Sequence, residues 1–451
     1  MHRAASHYAG KEIRNADMIE FFRRQPPVRV IAMGFTFAIL LGSGLLMLPC
    51  SIRDGVTLRY IDALYTSTSA VCVTGLIAAD AGDTFTLFGQ IILLILIQVG
   101  GLGVTAIGAG VILLVGRKMD LRGRNLIQEA GNLGSGHGVI RFVRSVFFTT
   151  LIFELGGAVL SFITFVQHFS VPRAIWLSVF HSVAAFNNSG FDVLGGGQNL
   201  VPYRQDVLLN LTTCVLIFFG GIGFLVIREM VANRWHWKRY SMHARVALSV
   251  SGVLTAVGML LIKLTERGNI SWLGAFFASV TARTAGFTTF PFGNFSNAGL
   301  LIMMVLMFIG ASPGSTGGGI KTSTFFVLLR GIRSAATGRS EKAFHYALPK
   351  EAFRKAAVIA FLGLSAVLAS ATAVSLLEPD IPLRDILFEM VSAFGTVGLS
   401  TGITAGLSVG SKLISIFMMF IGRLGPLTIA SLWHFSRIER ISYPEGNISV
   451  G

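Results

Sequence analysis

The sequence predicts an all-α polytopic membrane protein, in which four parallel repeats of span, short pore helix and second span surround one central pore. Three observations support this prediction: the composition, eight apolar spans, and a glycine signature that occurs four times. Of the 451 residues, 53% are hydrophobic and only 13% are charged, whereas a soluble domain carries about 25% charged residues. The net charge of +15 is distributed between the apolar spans, which argues against nucleic acid as a partner.

The apolar spans set the predicted domain organisation. A helix that crosses a bilayer needs roughly 20 apolar residues. The candidate spans are 28–48, 85–115, 142–166, 207–231, 244–264, 300–309 with an interrupted continuation to 329, 356–377 and 413–435. We therefore expect eight crossings, divided into an N-terminal tail (1–27), repeat 1 (28–116), repeat 2 (139–234), repeat 3 with a broken second span (243–336), repeat 4 (350–436) and a C-terminal tail (437–451).

Between the two spans of each repeat lies a helix candidate that is too short to cross a bilayer. These candidates are 59–71, 172–186, 271–282 and 382–394, and each ends at a glycine signature. Lysine and arginine are concentrated in the tails and between the repeats. By the positive-inside rule, we expect both termini in the cytoplasm and the signatures toward the outside of the membrane. No cleavable signal peptide is expected, and Cys50, Cys72 and Cys214 predict neither a disulfide framework nor a metal site.

The glycine signature places a hydroxyl or amide residue two positions before a glycine, with Leu or Phe directly after it. Its copies are Cys72-Val73-Thr74-Gly75, Asn187-Asn188-Ser189-Gly190, Arg283-Thr284-Ala285-Gly286 and Gly395-Thr396-Val397-Gly398, and only Val73 departs from the rule. One such tripeptide is typical of ordinary helix packing. Four copies at matched positions favour four strands around one axis, where glycine frees the backbone to turn carbonyl oxygens toward a dehydrated ion.

A second glycine landmark follows each signature along the chain. It reads Gly100-Gly101-Leu102-Gly103, Gly220-Gly221-Ile222-Gly223, Gly310-Ala311-Ser312-Pro313-Gly314 and Gly422-Arg423-Leu424-Gly425. Taken alone, these landmarks are interpreted as close packing. Two landmarks in register four times indicate an internal repeat, and because all units enter from the same side, the repeats are parallel rather than inverted.

On these residues the chain resembles the Ktr/Trk/HKT superfamily of potassium transporters, over roughly residues 28–435. The specific matches are the four signatures, Gly-Ala-Ser-Pro-Gly-Ser-Thr-Gly-Gly-Gly-Ile-Lys at 310–321 and Phe-Ile-Gly-Arg-Leu-Gly-Pro at 420–426. Within the superfamily, the chain is most similar to the membrane subunits of bacterial Ktr systems. The resemblance implies potassium uptake without enzymatic activity, a homodimer with one pore per subunit, surrounding membrane lipid, and a cytosolic ring of nucleotide-binding regulatory subunits (KtrA-like). Sodium as an activator is an expectation from the family alone.

In this interpretation K⁺ is the permeant ion, and main-chain oxygens around 73–75, 188–190, 284–286 and 396–398 replace its water shell. One obligatory glycine per strand predicts fewer tight sites and looser selectivity than a filter with two glycines. In the plant branch of the family, serine at the first filter glycine accompanies sodium transport, so Gly75 fits potassium. A bare Arg283 in the path would repel K⁺. We therefore expect Arg283 behind the filter as a brace, with an acidic residue as its candidate partner.

The broken span of repeat 3 is the predicted gate. Its residues Gly310, Ala311, Ser312, Pro313, Gly314, Ser315, Thr316, Gly317, Gly318 and Gly319 cannot sustain a helix. Irregular backbone at membrane depth is tolerated only where it is buried in protein or lines a cavity. We expect a loop below the filter, and its glycines favour a mobile gate over a fixed kink.

Two basic residues are assigned to the same gate. Arg423 is predicted to hydrogen-bond carbonyls of the loop and to add a positive barrier, with a snorkelling side chain as the alternative. Lys321 would serve similarly or mark the cytoplasmic edge. The stretch 314–322 resembles a phosphate-binding loop, but Ile320 interrupts it and no strand precedes it, so we expect this chain to bind no nucleotide.

The sequence alone is also compatible with two other classes of function, transport by coupling and enzymatic catalysis. A secondary transporter that couples K⁺ to Na⁺ or H⁺ predicts inverted repeats and carboxylates within the spans, of which Glu154 is the main one. A poorly selective Na⁺/K⁺ pore is a related alternative. A membrane-embedded enzyme needs a clustered nucleophile or metal set, and the nine histidines have no ligand spacing.

Overall fold

The computed structural model describes residues 25–103, 106–107, 139–234, 236–266, 268–338, 342–344, 346–349 and 351–431. This part of the chain is mostly helical. Its α-helices are α1 (Pro27–Leu46), α2 (Tyr60–Val71), α3 (Ala81–Thr84), α4 (Leu87–Leu102), α5 (Val139–Phe165), α6 (Val171–Phe186), α7 (Val207–Ile222), α8 (Phe224–Asn233), α9 (Met242–Thr265), α10 (Trp272–Thr281), α11 (Asn297–Phe308), α12 (Thr322–Thr337), α13 (Ala352–Leu377), α14 (Leu383–Gly395), α15 (Val409–Leu424) and α16 (Pro426–Ser431). Two short strands, β1 (Lys342–Ala343) and β2 (Tyr346–Ala347), form an antiparallel hairpin.

Four helices of the described part are long and apolar enough to cross a membrane: α1, α5, α9 and α13. They coincide with the predicted first spans of the four repeats. Large side chains such as Phe37 and Phe361 are exposed on them, at 68% and 70%. Exposed apolar surface of this extent is typical of helices that face lipid rather than water.

The four short helices predicted before the signatures are α2, α6, α10 and α14, and their observed ends lie within one residue of the predicted ones. Local sequence explains where they begin. Pro172 occupies the first turn of α6, where a missing N–H costs no intrahelical bond. The Ser271 hydroxyl caps α10 by accepting from the Gly274 N–H at 3.0 Å.

Two observed second helices are shorter than predicted, so the prediction of continuous spans over 207–231 and 413–435 is wrong for the described residues. Residues 104–105 and 108–115 of the predicted span 85–115 lie outside the described residues. Helix α7 ends directly before Gly223 and α8 continues at an angle of 101°, while α15 ends directly before Gly425. Gly103, Gly223 and Gly425 have φ angles of +86°, +97° and +92°, a region that residues with a Cβ rarely adopt. The last glycine of these landmarks therefore terminates a helix. With the bent pair α7 and α8 counted as one span, at most five described segments qualify by length and composition.

The helices contact one another in a circular order. Each long helix packs on the short helix that follows it: α1 on α2, α5 on α6, α9 on α10 and α13 on α14. Each predicted second helix then contacts the short helix of another unit: α4 with α6, α7 with α10, α11 with α14, and α15 with α2. The last contact closes the circle, and it places the ends of all four short helices around a common centre.

A buried ion pair fastens the closing contact between α15 and α2. The Lys412 ammonium, 1% exposed, lies 2.7 Å from an Asp62 carboxylate oxygen and also donates to the Ala405 carbonyl at 3.0 Å. Arg59, which is mostly exposed, donates to the other side of the same carboxylate at 2.8 Å.

Lys412→Met is expected to lower the free energy of unfolding by about 3 kcal/mol, because it leaves a mostly buried carboxylate without its inner partner. The double variant Asp62→Asn/Lys412→Met should recover part of this loss, since no unpaired buried charge remains and Arg59 is mostly exposed. Thermal unfolding of the detergent-solubilised chain measures both. Equal losses in the single and double variants would contradict the explanation.

Candidate functional site

The four signature glycines meet in a closed ring at the centre of the helices. A Cβ added to Gly190 would lie 2.9 Å from the Gly286 Cα, and one added to Gly286 would lie 3.2 Å from the Gly398 Cα. The circle continues from Gly398 to Gly75 and from Gly75 to Gly190, at 2.8 and 3.1 Å. We call these four residues the glycine ring. Each added Cβ would also meet a carbonyl oxygen of the neighbouring strand, so a side chain at any ring position displaces backbone.

The backbone of the four strands alternates in the sign of φ. Val73, Asn188, Thr284 and Thr396 have φ between +49° and +70°, and the glycines two positions later have φ between +68° and +93°. The residue between each pair has no positive φ. Alternation of this kind turns successive carbonyls to one side of a strand, as an ion filter built from main-chain oxygens requires.

The N–H groups of the strands are bonded on their outer side. Thr74, Ser189 and Val397 donate to carbonyls five residues earlier, at 2.7, 2.9 and 2.9 Å. Gly75 and Gly398 donate to the hydroxyls of Ser69 and Ser392, at 2.9 and 3.1 Å. The ends of the short helices thus hold five N–H groups of the strands, and none of these bonds uses a carbonyl oxygen of residues 73–75, 188–190 or 396–398.

Ser69 and Ser392 were missed by the sequence reasoning, although each lies six residues before its ring glycine. We number the strands in chain order as strand 1 (73–75), strand 2 (188–190), strand 3 (284–286) and strand 4 (396–398). The residues equivalent to Ser69 and Ser392 in the other two units are Ala184 and Val280, so a serine hydroxyl at this position bonds strands 1 and 4 only. In strand 3 the Thr281 hydroxyl donates instead to the Phe287 carbonyl at 2.7 Å.

Strands 2 and 3 are fastened to each other by Asn199, which the sequence reasoning also missed. Its side-chain amide donates to the Gly190 carbonyl at 3.1 Å and to the Asp192 carboxylate at 2.8 Å. Its side-chain oxygen accepts from the Thr288 N–H, two residues beyond Gly286, at 3.1 Å. Burial raises the pKa of the Asp192 carboxyl to about 7, and the negative charge of Asp80 acts in the same direction.

Asn199→Asp is expected to reduce the preference for K⁺ over Na⁺ by roughly fivefold, the equivalent of one lost hydrogen bond of ~1 kcal/mol, while transport continues. The variant keeps the shape of the side chain but loses its donor to Gly190, and it sets a second carboxylate beside Asp192. Competition of Na⁺ and K⁺ against rubidium uptake at pH 8, where Asp192 is mostly ionised, measures the change. Asn297→Asp, the same substitution at an exposed position, is the control, and equal effects of both variants would contradict the role of Asn199.

Two polar residues that directly precede the strands, Asn187 and Arg283, form hydrogen bonds with the surrounding helices. Asn187 donates to Gln98 at 2.7 Å and to the Glu154 carboxylate at 3.1 Å. Arg283 donates to the Ser251 carbonyl at 3.2 Å and to its hydroxyl at 3.0 Å. Arg283 is therefore buried behind strand 3 and braced by Ser251 of α9. In the described part of the chain, these bonds go to a serine and not to a carboxylate. The acidic partner expected for Arg283 is thus replaced by uncharged oxygens.

Residues 310–321, which we call the broken segment, separate α11 from α12 directly beside the strands. The Thr316 hydroxyl lies 3.4 Å from the Phe186 carbonyl, and the Gly318 N–H donates to the Thr396 hydroxyl at 2.9 Å. Other donors reach the second landmarks of the same two units, repeats 2 and 4: Ser312 to Gly221 at 2.9 Å, Thr316 to Gly220 at 3.2 Å and Gly319 to Gly422 at 3.2 Å. The segment is thus tied to the units around it.

Arg423 and Lys321 both donate to carbonyls of the broken segment. The Arg423 guanidinium bonds the Thr316 carbonyl with one nitrogen and the Gly100 carbonyl with the other, and the Gly101 carbonyl lies 3.4 Å away. Lys321 donates to the Gly317 carbonyl at 2.7 Å. Arg423 therefore connects the segment to the landmark of repeat 1, the one unit that the segment's own N–H groups do not reach in the described hydrogen bonds.

The helices and the strands that meet at the glycine ring define a polytopic helical membrane protein. The chain belongs to the TrkH family of cation transport proteins, whose family model matches residues 30–251 and 249–436. It is 37% identical to the Ktr system potassium uptake protein B of Bacillus subtilis, over 96% of this chain and 98% of that protein. It is 36% identical to the potassium/sodium uptake protein NtpJ of Enterococcus hirae, over 95% of this chain and 98% of that protein.

The fold is also that of a solved structure in the same family. The crystal structure of the potassium transporter TrkH from Vibrio parahaemolyticus matches with a TM-score of 0.71 at 18% identity, over 91% of this chain and 86% of that one. The resemblance inferred from the sequence is therefore confirmed at the level of family and fold.

Proposed function

We propose that this chain takes up potassium across a bacterial cytoplasmic membrane through a single pore lined by backbone carbonyls. The observation that carries this proposal is the glycine ring: four strands with alternating φ signs meet at one point and keep their N–H groups on the outer side. Proteins related to this chain over nearly their whole length are named for potassium uptake. In this proposal the four repeats of span, pore helix and second span surround the pore, with both termini in the cytoplasm.

The carbonyls of 73–75, 188–190, 284–286 and 396–398 would coordinate the permeant ion in place of water. Cys72, Asn187, Arg283 and Gly395 precede these strands and support them from the outside. The Gly190 carbonyl also accepts a hydrogen bond from Asn199, which fixes the position of this oxygen at the ring.

A poorly selective K⁺/Na⁺ pore is the second candidate function. It is favoured by the single obligatory glycine in each strand and by the name of the Enterococcus relative, which refers to both ions. Coupled symport with Na⁺ or H⁺ and activation by Na⁺ are variants of this second candidate, since each would make uptake of K⁺ depend on sodium or protons.

The broken segment, from Gly310 to Lys321, would be the gate. It lies beside the strands and is held by Arg423 and by backbone bonds to the landmarks. A cytosolic ring of nucleotide-binding subunits would displace it from below, since relatives are described as parts of a Ktr system. A homodimer with one pore per chain completes the proposed assembly.

Membrane voltage suffices to drive the proposed uptake. One charge that moves through 100 mV gains about 2.3 kcal/mol. A tenfold uphill gradient costs roughly 1.4 kcal/mol, so no ATP hydrolysis by this chain is required.

Rubidium uptake into proteoliposomes loaded with potassium tests the proposal. Uptake that external K⁺ blocks and Na⁺ does not would support a potassium filter. Equal block by both ions would favour the poorly selective pore, and uptake that strictly follows a Na⁺ or H⁺ gradient would favour coupled transport. Uptake that no monovalent cation blocks would refute the filter.

A further inference from the structure

A large apolar cavity opens on the side of the protein between α5, α7 and α8. We call it the lateral groove. Its volume is about 730 Å³, and its walls include Phe148, Ile152 and Phe153 of α5, Phe219 of α7, and Ile227 and Val231 of α8. Ligand cavities measure roughly 300–1,000 Å³, so the groove has room for a flexible apolar chain.

The rim of the groove is positively charged. Arg228 and Arg234 both line it and are exposed, and no salt bridge or side-chain hydrogen bond joins either to a carboxylate in the described part of the chain. Glu229, which lies between them in sequence, accepts instead from the backbone and hydroxyl of Ser241, both at 2.8 Å. The groove therefore combines an apolar body with two cations at its mouth.

The sharp bend at Gly223 sets this geometry. Because α8 leaves α7 at 101°, α8 runs roughly along the membrane plane if α7 crosses the membrane. Helices in this orientation commonly bury an apolar face at the membrane surface and keep Lys and Arg at the headgroup level. The connection from α8 to α9 is basic as well, with Lys238 and Arg239, as expected for a cytoplasmic loop.

We propose that the lateral groove binds one anionic phospholipid, with an acyl chain between α5 and α8 and the phosphate at Arg228 and Arg234. Basic pockets between membrane helices on the cytoplasmic side attract anionic headgroups. This inference rests on the membrane orientation given in the proposed function. It adds a binding site and a ligand class that the transport proposal does not contain.

The bound lipid acts on the broken segment through α8. The Phe224 N–H, at the first residue of α8, donates to the Gly314 carbonyl at 3.0 Å. A Cβ on Gly223 would lie 2.7 Å from the Pro313 carbonyl oxygen, so the hinge and the segment are in direct contact. A lipid that fixes the angle of α8 thereby fixes the segment at Pro313 and Gly314, and loss of the lipid changes transport.

The positive charge of the rim favours an anionic lipid over the other candidate occupants of the groove. Residues 104–138 of this chain carry Arg117, Lys118, Arg122 and Arg124 against Asp120 and Glu129, so this stretch is repelled by the two arginines. A second copy of the chain would bring the same basic rim. An anionic headgroup complements the rim, and a hydrocarbon chain complements the walls.

Native mass spectrometry of the purified full chain, titrated with palmitoyl-oleoyl phosphatidylglycerol or the matching phosphatidylcholine, tests the site. The wild type is expected to retain one phosphatidylglycerol in preference to phosphatidylcholine, and Arg228→Gln/Arg234→Gln should weaken this binding roughly tenfold or more. Lys238→Gln/Arg239→Gln removes the same charge from residues outside the groove and should leave binding unchanged. Ser145→Phe fills the groove with both arginines intact and should also abolish retention.

Equal weakening by the two double variants would show a diffuse basic surface and overturn the site. No preference for phosphatidylglycerol, or a change from dimer to monomer in the groove variants with lipid binding unchanged, would also overturn it. Binding is read in detergent without any flux, so a chain that binds lipid but does not transport refutes only the transport proposal. In vesicles, wild-type rubidium uptake should differ between the two lipids, and Arg228→Gln/Arg234→Gln should remove that difference.

Discussion

Gly75→Ser is expected to remove most of the preference for K⁺ over Na⁺, a change of roughly tenfold or more and the equivalent of ~1.4 kcal/mol. The φ of Gly75 is +93°, a region where a residue with a side chain is strained by ~1–3 kcal/mol. The new Cβ would also collide with the Ser189 carbonyl oxygen of the neighbouring strand. Because the ring is closed, the displacement of that carbonyl changes the ligands at the centre. Competition of Na⁺ and K⁺ against rubidium uptake in proteoliposomes measures the selectivity.

A matched control distinguishes the effect of a substitution in the glycine ring from the effect of substituting any glycine with a positive φ. Gly55 has a φ of +79° and has no neighbouring atoms where a Cβ would lie, so Gly55→Ser imposes similar backbone strain without touching the strands. It should leave selectivity unchanged. If Gly75→Ser keeps the wild-type selectivity, or if Gly55→Ser loses as much, the glycine ring is not the filter.

The parts of the fold that the sequence predicted well are those governed by local patterns. The long spans and the short helices α2, α6, α10 and α14 follow from apolar length, proline and serine at helix starts, and the glycine signatures that end them. These signals act within a few residues of the helix that they define. The family inferred from the signatures is confirmed by the family model, and the mostly helical fold matches that of a solved TrkH structure.

The parts that the sequence did not predict depend on contacts between distant residues. The ends of α7 and α15 were placed too late, because an apolar run continues past Gly223 and hydropathy does not record the φ of a single glycine. Ser69, Ser392 and Asn199 were overlooked since their partners become neighbours only when the short helices meet. The expected carboxylate for Arg283 was wrong for the same reason: Ser251, on α9, lies next to it only in the folded chain. A serine lies six residues before two of the four ring glycines. This shared position is visible in the sequence and would have predicted Ser69 and Ser392 as partners of the strands.

Arg423→Ala is expected to raise the flux of rubidium roughly tenfold or more, since hydrogen bonds to a charged group contribute about 1.5–3 kcal/mol each. The guanidinium spans from the Thr316 carbonyl of the broken segment to the Gly100 carbonyl of α4, so the variant releases the segment from repeat 1. The measurement is the initial rate of uptake in proteoliposomes without cytosolic partners. Arg333→Ala, which removes an exposed arginine of α12, should leave that rate unchanged, and an unchanged rate in Arg423→Ala would refute the tether.

Arg423→Lys distinguishes the two roles that one arginine combines here. Lysine keeps the positive charge but lacks the planar fork that bonds two carbonyls at once. If the tether holds the segment closed, Arg423→Lys should raise the flux nearly as much as Arg423→Ala does. If the charge is the barrier, the lysine variant should conduct like the wild type, and only alanine should increase the flux. The tether is the expected outcome, because the guanidinium bonds the Thr316 and Gly100 carbonyls with separate nitrogens, and lysine lacks the fork that makes both bonds at once.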